Sequence, residues 1–282
     1  MRPRPEALAL GSSWKLALAR TPPRGPAGEK LGRTTGSSLD FHDRRSYEAG
    51  DDVRNLDWRA FARTDQLLVR QWRDEVLARV EILVDTSRSM GLDPVKAQLT
   101  LDLAGLLARA ALESGAQPVI VRLEERPRAL GLLEFERDGL AFDSNASLAE
   151  SLRAAAGLCR SGAIVIVVSD FLAPHDAGEL IRPVAARAGA LGLVQVLSDD
   201  EASPPVGGAH RLIDCETGEA LDLVLDAKTV GAYLERLGRL GAALDEESRR
   251  ARGRFVPLRA SLPLERLCRE RLAPEGLLEP AN

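Results

Sequence analysis

Cysteine is scarce in this chain of 282 residues: Cys159, Cys215 and Cys268 are odd in number, far apart and without histidine neighbours. That excludes a disulfide framework and a zinc site as organising devices, and leaves the thiols as small buried or half-buried side chains. Lysine is scarce too. Only Lys15, Lys30, Lys96 and Lys228 stand among 38 basic residues, the rest being arginine, a bias that reads as genomic rather than functional. No basic excess exists, since the formal net charge is −4, and phosphate recognition leaves a basic footprint. A nucleic-acid partner is therefore not expected. No apolar run approaches the roughly 18 residues of a membrane span, and the amino terminus lacks the apolar core of a secretory signal. A cytoplasmic protein without a membrane span is expected. His42, His175 and His210 fall in no catalytic pattern, and neither a G-x-S-x-G elbow nor a P-loop is present. What remains, 45% hydrophobic and 28% charged, is ordinary for a globular protein. The length suits one large α/β domain with an appended segment, or two small domains.

The stretch that organises the rest runs from Arg79 to Met90. Val80, Ile82, Leu83 and Val84 form the near-continuous apolar run of a strand buried on both faces of a parallel sheet. Asp85 then sits at the strand's carboxyl end, where binding crevices of open α/β sheets form. Asp85, Ser87 and Ser89 place one carboxylate and two hydroxyls on a single strand-to-helix turn. Such hard oxygens suit a small divalent cation; equally, Asp and Ser are ordinary helix caps. Ala163 to Val168 is a second wholly apolar strand, ending in Ser169-Asp170. If the two strands are neighbours, their acids share one crevice.

Along the rest of the chain, residues 1–36, rich in Pro, Gly and Arg, read as a flexible N-terminal arm. Residues 37–77 read as a compact segment packed on the main domain, its aromatics Phe41, Tyr47, Trp58, Phe61 and Trp72 interleaved with Arg and Asp that pair. In it, Asp51 or Asp52 is expected to cap a short helix through Ala62, and Leu67 to Glu75 to form a strand. Residues 78–275 form the main domain. Asp93-Pro94 starts a helix that Gly115 stops, and Gln117 to Leu123 and Ala129 to Phe135 read as strands. Ser147 to Cys159 and Asp176 to Arg187 read as helices, with a strand at Leu191 to Leu197 and a hairpin from His210 to Val224. A long helix spans Ala227 to Arg250, Phe255 to Leu258 is the last strand, and Leu264 to Leu272 a closing helix. The alternation specifies an α/β fold with a doubly wound, mostly parallel, Rossmann-like sheet.

Asp85-Thr-Ser-Arg-Ser-Met90, the acid after the second apolar strand and the alternation together resemble a von Willebrand factor type A domain. Ahead of them stands Arg45-Ser-Tyr47-Glu-Ala-Gly-Asp-Asp-Val-Arg54-Asn-Leu-Asp-Trp58-Arg-Ala-Phe-Ala-Arg63. Its Arg45, Tyr47, Gly50, Asp51, Asp52, Arg54, Asp57, Trp58, Arg59 and Arg63 make the whole resemble the bacterial family called domain of unknown function 58, over residues 36 to about 260. The type A resemblance implies a metal-ion-dependent adhesion site holding magnesium, or manganese in its place. Asp85, Ser87 and Ser89 would be its first-loop ligands and Asp170 its third-loop acid, often through water. The second loop departs from the pattern: the threonine of intact sites has its nearest counterpart in Ala146, with Asn145 or Ser147 as substitute oxygen donors. A weakened or vestigial site stays open. Arg88, Met90 and Phe171 would form the rim.

The resemblance implies binding rather than turnover: a partner's Asp or Glu fills an open coordination position on the metal. It also implies partnership with a MoxR-type AAA+ ATPase and an unidentified client, in maturing or remodelling complexes. Many members carry transmembrane helices ahead of the shared region, and this chain resembles the shorter ones without them. The leading expectation is thus a non-enzymatic adaptor. The alternatives are a metal-free interaction scaffold, with the serines as helix caps, and a magnesium-dependent phosphoester hydrolase with Asp85 as nucleophile.

Overall fold

The computed structural model describes residues 1–20, 39–48, 51, 56–74, 78–173, 176–215 and 218–281. It divides into two compact units, Met1–Gly25 together with Ala78–Asn282, and Pro26–Leu77.

Residues 1–20 correct the expectation of a flexible arm. Helix α1 (Pro5–Gly11) starts on a proline at its first position, and strand β1 (Trp14–Leu16) pairs antiparallel with Leu278–Pro280 near the other end of the chain. Trp14, Leu16 and Leu18 are buried in the main core. The Leu and Ala residues between positions 7 and 18 supply that apolar surface, which an average over the Pro- and Gly-rich residues after them conceals. Residues 21–36 of the expected arm lie outside the described residues.

In the second unit, strand β2 (Leu39–Ser46) pairs antiparallel with β3 (Leu68–Asp74), with a bulge between Phe41 and Asp43. Between them lies helix α2 (Trp58–Thr64). Its cap is Asp57, whose Oδ1 accepts from the amides of Arg59 and Ala60, both at 3.1 Å. The expected caps Asp51 and Asp52 stand too far upstream of the first helical residue; an N-cap must directly precede it. Trp58 and Phe61 meet edge to face, 6.4 Å between ring centres.

The main unit follows in order: β4 (Arg79–Asp85), α3 (Arg88–Leu92), α4 (Pro94–Glu113), β5 (Gln117–Leu123), β6 (Arg128–Leu130), α5 (Leu132–Asp138), α6 (Leu148–Ala156), β7 (Ile164–Ser169), α7 (Ala177–Ala185), β8 (Ala190–Leu197), α8 (Asp199–Ala202), β9 (Ala209–Ile213), β10 (Ala220–Val224), α9 (Ala227–Arg250), β11 (Arg254–Arg259), α10 (Leu264–Leu267) and β12 (Leu278–Pro280). Among the described residues, six strands form a sheet in the order β11-β8-β7-β4-β5-β6, parallel except for the β5–β6 pair. The expected doubly wound, mostly parallel α/β sheet is thus present, and β9–β10 is the expected hairpin.

Strand alternation fills both faces. Val80, Ile82 and Val84 of β4 enter one core with α4, while Leu83 enters the other with α6, α7 and α9. Helix α4 is apolar almost all round because α1 and β1 cover the side that the sheet does not. Two expectations fail locally. Ala129 to Phe135 is a three-residue strand followed by α5, because Gly131 takes the helix N-cap position and Phe135 buries on the helical stripe. A short apolar run cannot by itself separate strand from helix. Phe255 to Leu258 lies within β11 but is not the last strand, since β12 follows and clasps β1.

Candidate functional site

Strands β4 and β7 are neighbours, in register from Val80 opposite Ile164 to Val84 opposite Val168. The next residues, Asp85 and the Ser169-Asp170 pair, therefore emerge side by side at the carboxyl edge. This is also where chain order reverses: from β4 the chain goes to β5 and β6 on one side, then crosses to β7 on the other. Such switch points open crevices.

Asp85 is nearly buried. Its Oδ1 accepts from the Ser87 amide at 2.9 Å, and its Oδ2 accepts from the Ser169 hydroxyl at 2.6 Å. Burial foremost, and then the negative charge of Asp170, push its carboxyl up to about 6 against the pull of the Ser169 and Ser87 hydrogen bonds. Ser87 occupies the N-cap position of α3, yet its hydroxyl caps no amide. Instead Ser87 Oγ and Ser89 Oγ lie 3.0 Å apart. Ser89 is half-buried and Arg88 exposed, so solvent reaches the cluster from the α3 side.

Asp170 is almost wholly buried. Its Oδ1 accepts from the Leu172 amide at 3.0 Å, and Gln195 Nε2 holds its backbone carbonyl at 2.8 Å. The following residue, Phe171, adopts φ +56°, a left-handed conformation costly for a bulky side chain, on the order of 1–3 kcal/mol. The second carboxylate oxygen faces Lys96. Its Nζ donates to Asp170 Oδ2 at 2.7 Å and to Glu201 Oε1 at 2.7 Å, and the side chain is fully buried. Burial pulls the Lys96 ammonium down, but Asp170 and Glu201 outweigh it and hold it above the usual lysine value. Glu201 completes a capping box on α8 with its other oxygen, which accepts from the Ser198 amide at 2.8 Å. The Tyr233 hydroxyl donates to the Glu201 carbonyl at 2.7 Å; burial, then Glu201 and Asp170, raise that phenol.

The other sequence candidates fall elsewhere. Met90 and Phe171, expected on the rim, are fully buried, one in each core; both are large apolar side chains beside packed strands, and burial outcompetes exposure. Asn145 is exposed. Ser147 caps α6, accepting from the Glu150 amide at 3.3 Å and donating to the Glu150 carboxylate at 2.8 Å. The second-loop residue that reaches the first loop is Ser144, buried and bridged to Ser87, with its amide donating to the Thr86 carbonyl at 3.0 Å. In the second unit, Tyr47 is half-buried, while Trp58, Arg59 and Arg63 are exposed; Gly50, Asp52 and Arg54 lie outside the described residues, and Asp51 Oδ2 accepts from the Glu48 amide at 2.9 Å. Sequence reasoning missed Lys96, Glu201 and Ser144, and noted Ser169 only as the hydroxyl ending its strand, not as the partner of Asp85. Lys96 did leave a signal. It is a rare lysine in an arginine-rich chain, set in the first turn of a helix, where the macrodipole disfavours positive charge.

Among the described residues no three His, Cys, Asp or Glu side chains cluster as a metal site. Any cation here draws on hydroxyls as well as carboxylates. Nor is any described helix long and apolar enough to cross a membrane.

The fold and site thus define an α/β protein with a buried cluster of acids and hydroxyls at its topological switch point. Residues 43–239 match the model of the family described as Protein of unknown function DUF58, and the chain belongs to that family. Uncharacterized proteins of Mycobacterium tuberculosis and Mycobacterium bovis are 26% identical over 219 residues, covering 71% of this chain and 68% of theirs. Among solved structures, the conserved hypothetical protein BatB from Bacteroides thetaiotaomicron matches with a TM-score of 0.42 at 14% identity, over 70% of this chain and 98% of that one. An aerotolerance-related membrane protein from Bacteroides fragilis matches with a TM-score of 0.39 at 11% identity, over 71% of this chain and 98% of that one.

Proposed function

We propose that the main unit is a von Willebrand factor type A-like binding domain, non-enzymatic, whose notch holds a divalent cation and through it engages an acidic side chain of a protein partner. The observation that carries this reading is the pair of uncapped hydroxyls of Ser87 and Ser89, 3.0 Å apart, beside two acids delivered by adjacent strands. Serines serving only as caps would be bonded to amides.

The donor set fits magnesium, or manganese in its place: one or two carboxylates, a few neutral oxygens and retained waters satisfy such an ion. Asp85, Ser87 and Ser89 would hold it directly and Asp170 through water, as the family resemblance implies. The bound ion supplies an open coordination position to the partner's carboxylate. The chain's own residues do the rest. Ser169 and the Ser87 amide orient the Asp85 carboxylate, the Leu172 amide and Gln195 fix the Asp170 loop, and exposed Arg88 offers an attractive charge to an acidic partner. On the same family resemblance, the partner is a MoxR-type AAA+ ATPase acting on a separate client.

Calorimetric titration of magnesium into the full chain tests the site. Binding is expected for the native protein and lost in Asp85→Ala, and capture of a purified MoxR-type ATPase is expected to need magnesium. Equal capture in chelator, by native and Asp85→Ala protein alike, overturns the adaptor reading. One observation favours the metal-free scaffold instead: Lys96 already supplies positive charge to Asp170.

A further inference from the structure

A lysine with no exposed surface, as Lys96 is, occurs rarely, since desolvating an ammonium is costly unless carboxylates surround it. Here two do, each at 2.7 Å, and they differ in kind. Asp170 is itself buried and belongs to the notch, with its first oxygen committed to the Leu172 amide. Glu201 is partly exposed, stands on α8 outside the notch, and is anchored through its other oxygen to the Ser198 amide. The lysine carries four methylenes above a fixed helical turn, its amide donating to the Asp93 cap at 3.4 Å and its carbonyl accepting from the Thr100 hydroxyl at 2.9 Å. One ammonium thus spans a buried acid beside Asp85 and a partly exposed acid on α8.

We propose that Lys96 is the notch's resident cation: its ammonium competes with a divalent ion for Asp170, and Glu201 is the seat to which it withdraws when the ion enters. This rests on the divalent-ion reading above and adds to it what controls occupancy. In the ion-free protein Lys96 neutralises Asp170, so the notch keeps its shape without metal. When the ion arrives, Lys96 gives up one hydrogen bond and keeps the other, remaining paired throughout. The consequence is a site that binds divalent ions weakly and is built for reversible loading, the ion and a partner's carboxylate arriving together more readily than the ion alone.

The test is magnesium calorimetry and thermal melting on the full chain, with four proteins: native, Lys96→Met, Glu201→Gln and the double variant. Lys96→Met is expected to bind magnesium at least about ten-fold tighter, the scale of removing a unit charge a few ångströms away. Its melting temperature is expected to fall in chelator and to rise with magnesium by more than that of the native protein, which binds the ion more weakly. Glu201→Gln is expected to bind several-fold more weakly than native, because the ammonium then has only Asp170. In the Lys96→Met background the same Glu201→Gln change is expected to do little, since its effect passes through the lysine. If Lys96→Met binds magnesium no tighter than native, the competition is overturned while the divalent site stands. If Lys96→Met fails to fold, Glu201→Gln decides, and unchanged or tighter binding overturns the proposal. If neither the native protein nor any variant binds magnesium, the divalent reading falls and this inference with it.

Discussion

Asp85 shows how far one residue's chemistry was legible and where it stopped. Its place at the end of an apolar strand, and its pairing in sequence with two serines, could be read directly. Its environment could not, because Ser169 and Asp170 arrive from a strand about eighty residues later. That environment has a measurable cost. The Asp85 carboxyl is raised to about 6 in the folded protein from the 3.8 of an ordinary aspartate. Between those values the folded chain keeps a proton that the unfolded chain releases, so this residue's contribution to stability falls as pH rises from about 4 to about 6 and stays low above. A rise of that size corresponds to roughly 3 kcal/mol. Asp85→Asn, uncharged throughout, is therefore expected to melt several degrees higher than the native protein at neutral pH in chelator, with the difference vanishing near pH 4. Melting curves across that range check it; a difference independent of pH, or of opposite sign, refutes it. The three cysteines behave as their scarcity suggested: Cys159 and Cys268 are buried and pushed up to about 12, chiefly by burial, and Cys215 is half-buried.

Elements with strong periodicity and clear caps were legible nearly to the residue. Helix α9 spans Ala227–Arg250 as its amphipathic pattern required, and Asp93-Pro94 and Asp176 start α4 and α7 as caps should. Helix α1 was not, because seven residues give too little periodicity to stand out beside a Pro- and Gly-rich neighbourhood. What holds it is tertiary. Asp102, wholly buried in the middle of α4, accepts from the Arg4 amide and Nε, each at 2.7 Å, and from Gln98 Nε2 at 3.0 Å. Gly11 lets α1 approach α4 so closely that a Cβ there would stand 2.7 Å from the Leu106 carbonyl oxygen. Asp102→Ala leaves the Arg4 amide without its acceptor and is expected to destabilise the protein by about 1–3 kcal/mol. Amide hydrogen exchange is expected to show the loss first in residues 3–11, before the sheet. Uniform loss of protection, with α1 no faster than β4, would show that the fastening is not local.

For the whole molecule, the sequence specified the layers but not the neighbours. Two strands ending in acids were plain to see; that they lie side by side follows from the chain crossing back over β4 after β5 and β6, which no single stretch encodes. The same holds for the pairing of β1 with β12, two three-residue strands that acquire meaning only together. Trp14 faces Pro280 and Leu16 faces Leu278, so tension applied just before Trp14 and just after Pro280 meets the ladder at its open end and parts it rung by rung, as a zip opens, instead of sliding one strand along the other. In an optical trap with handles at those two points, the first yielding is expected at low force and to release β1 and β12 while the six-stranded sheet endures. A single rupture of the entire unit would mean that the clasp is as strong as the sheet it closes.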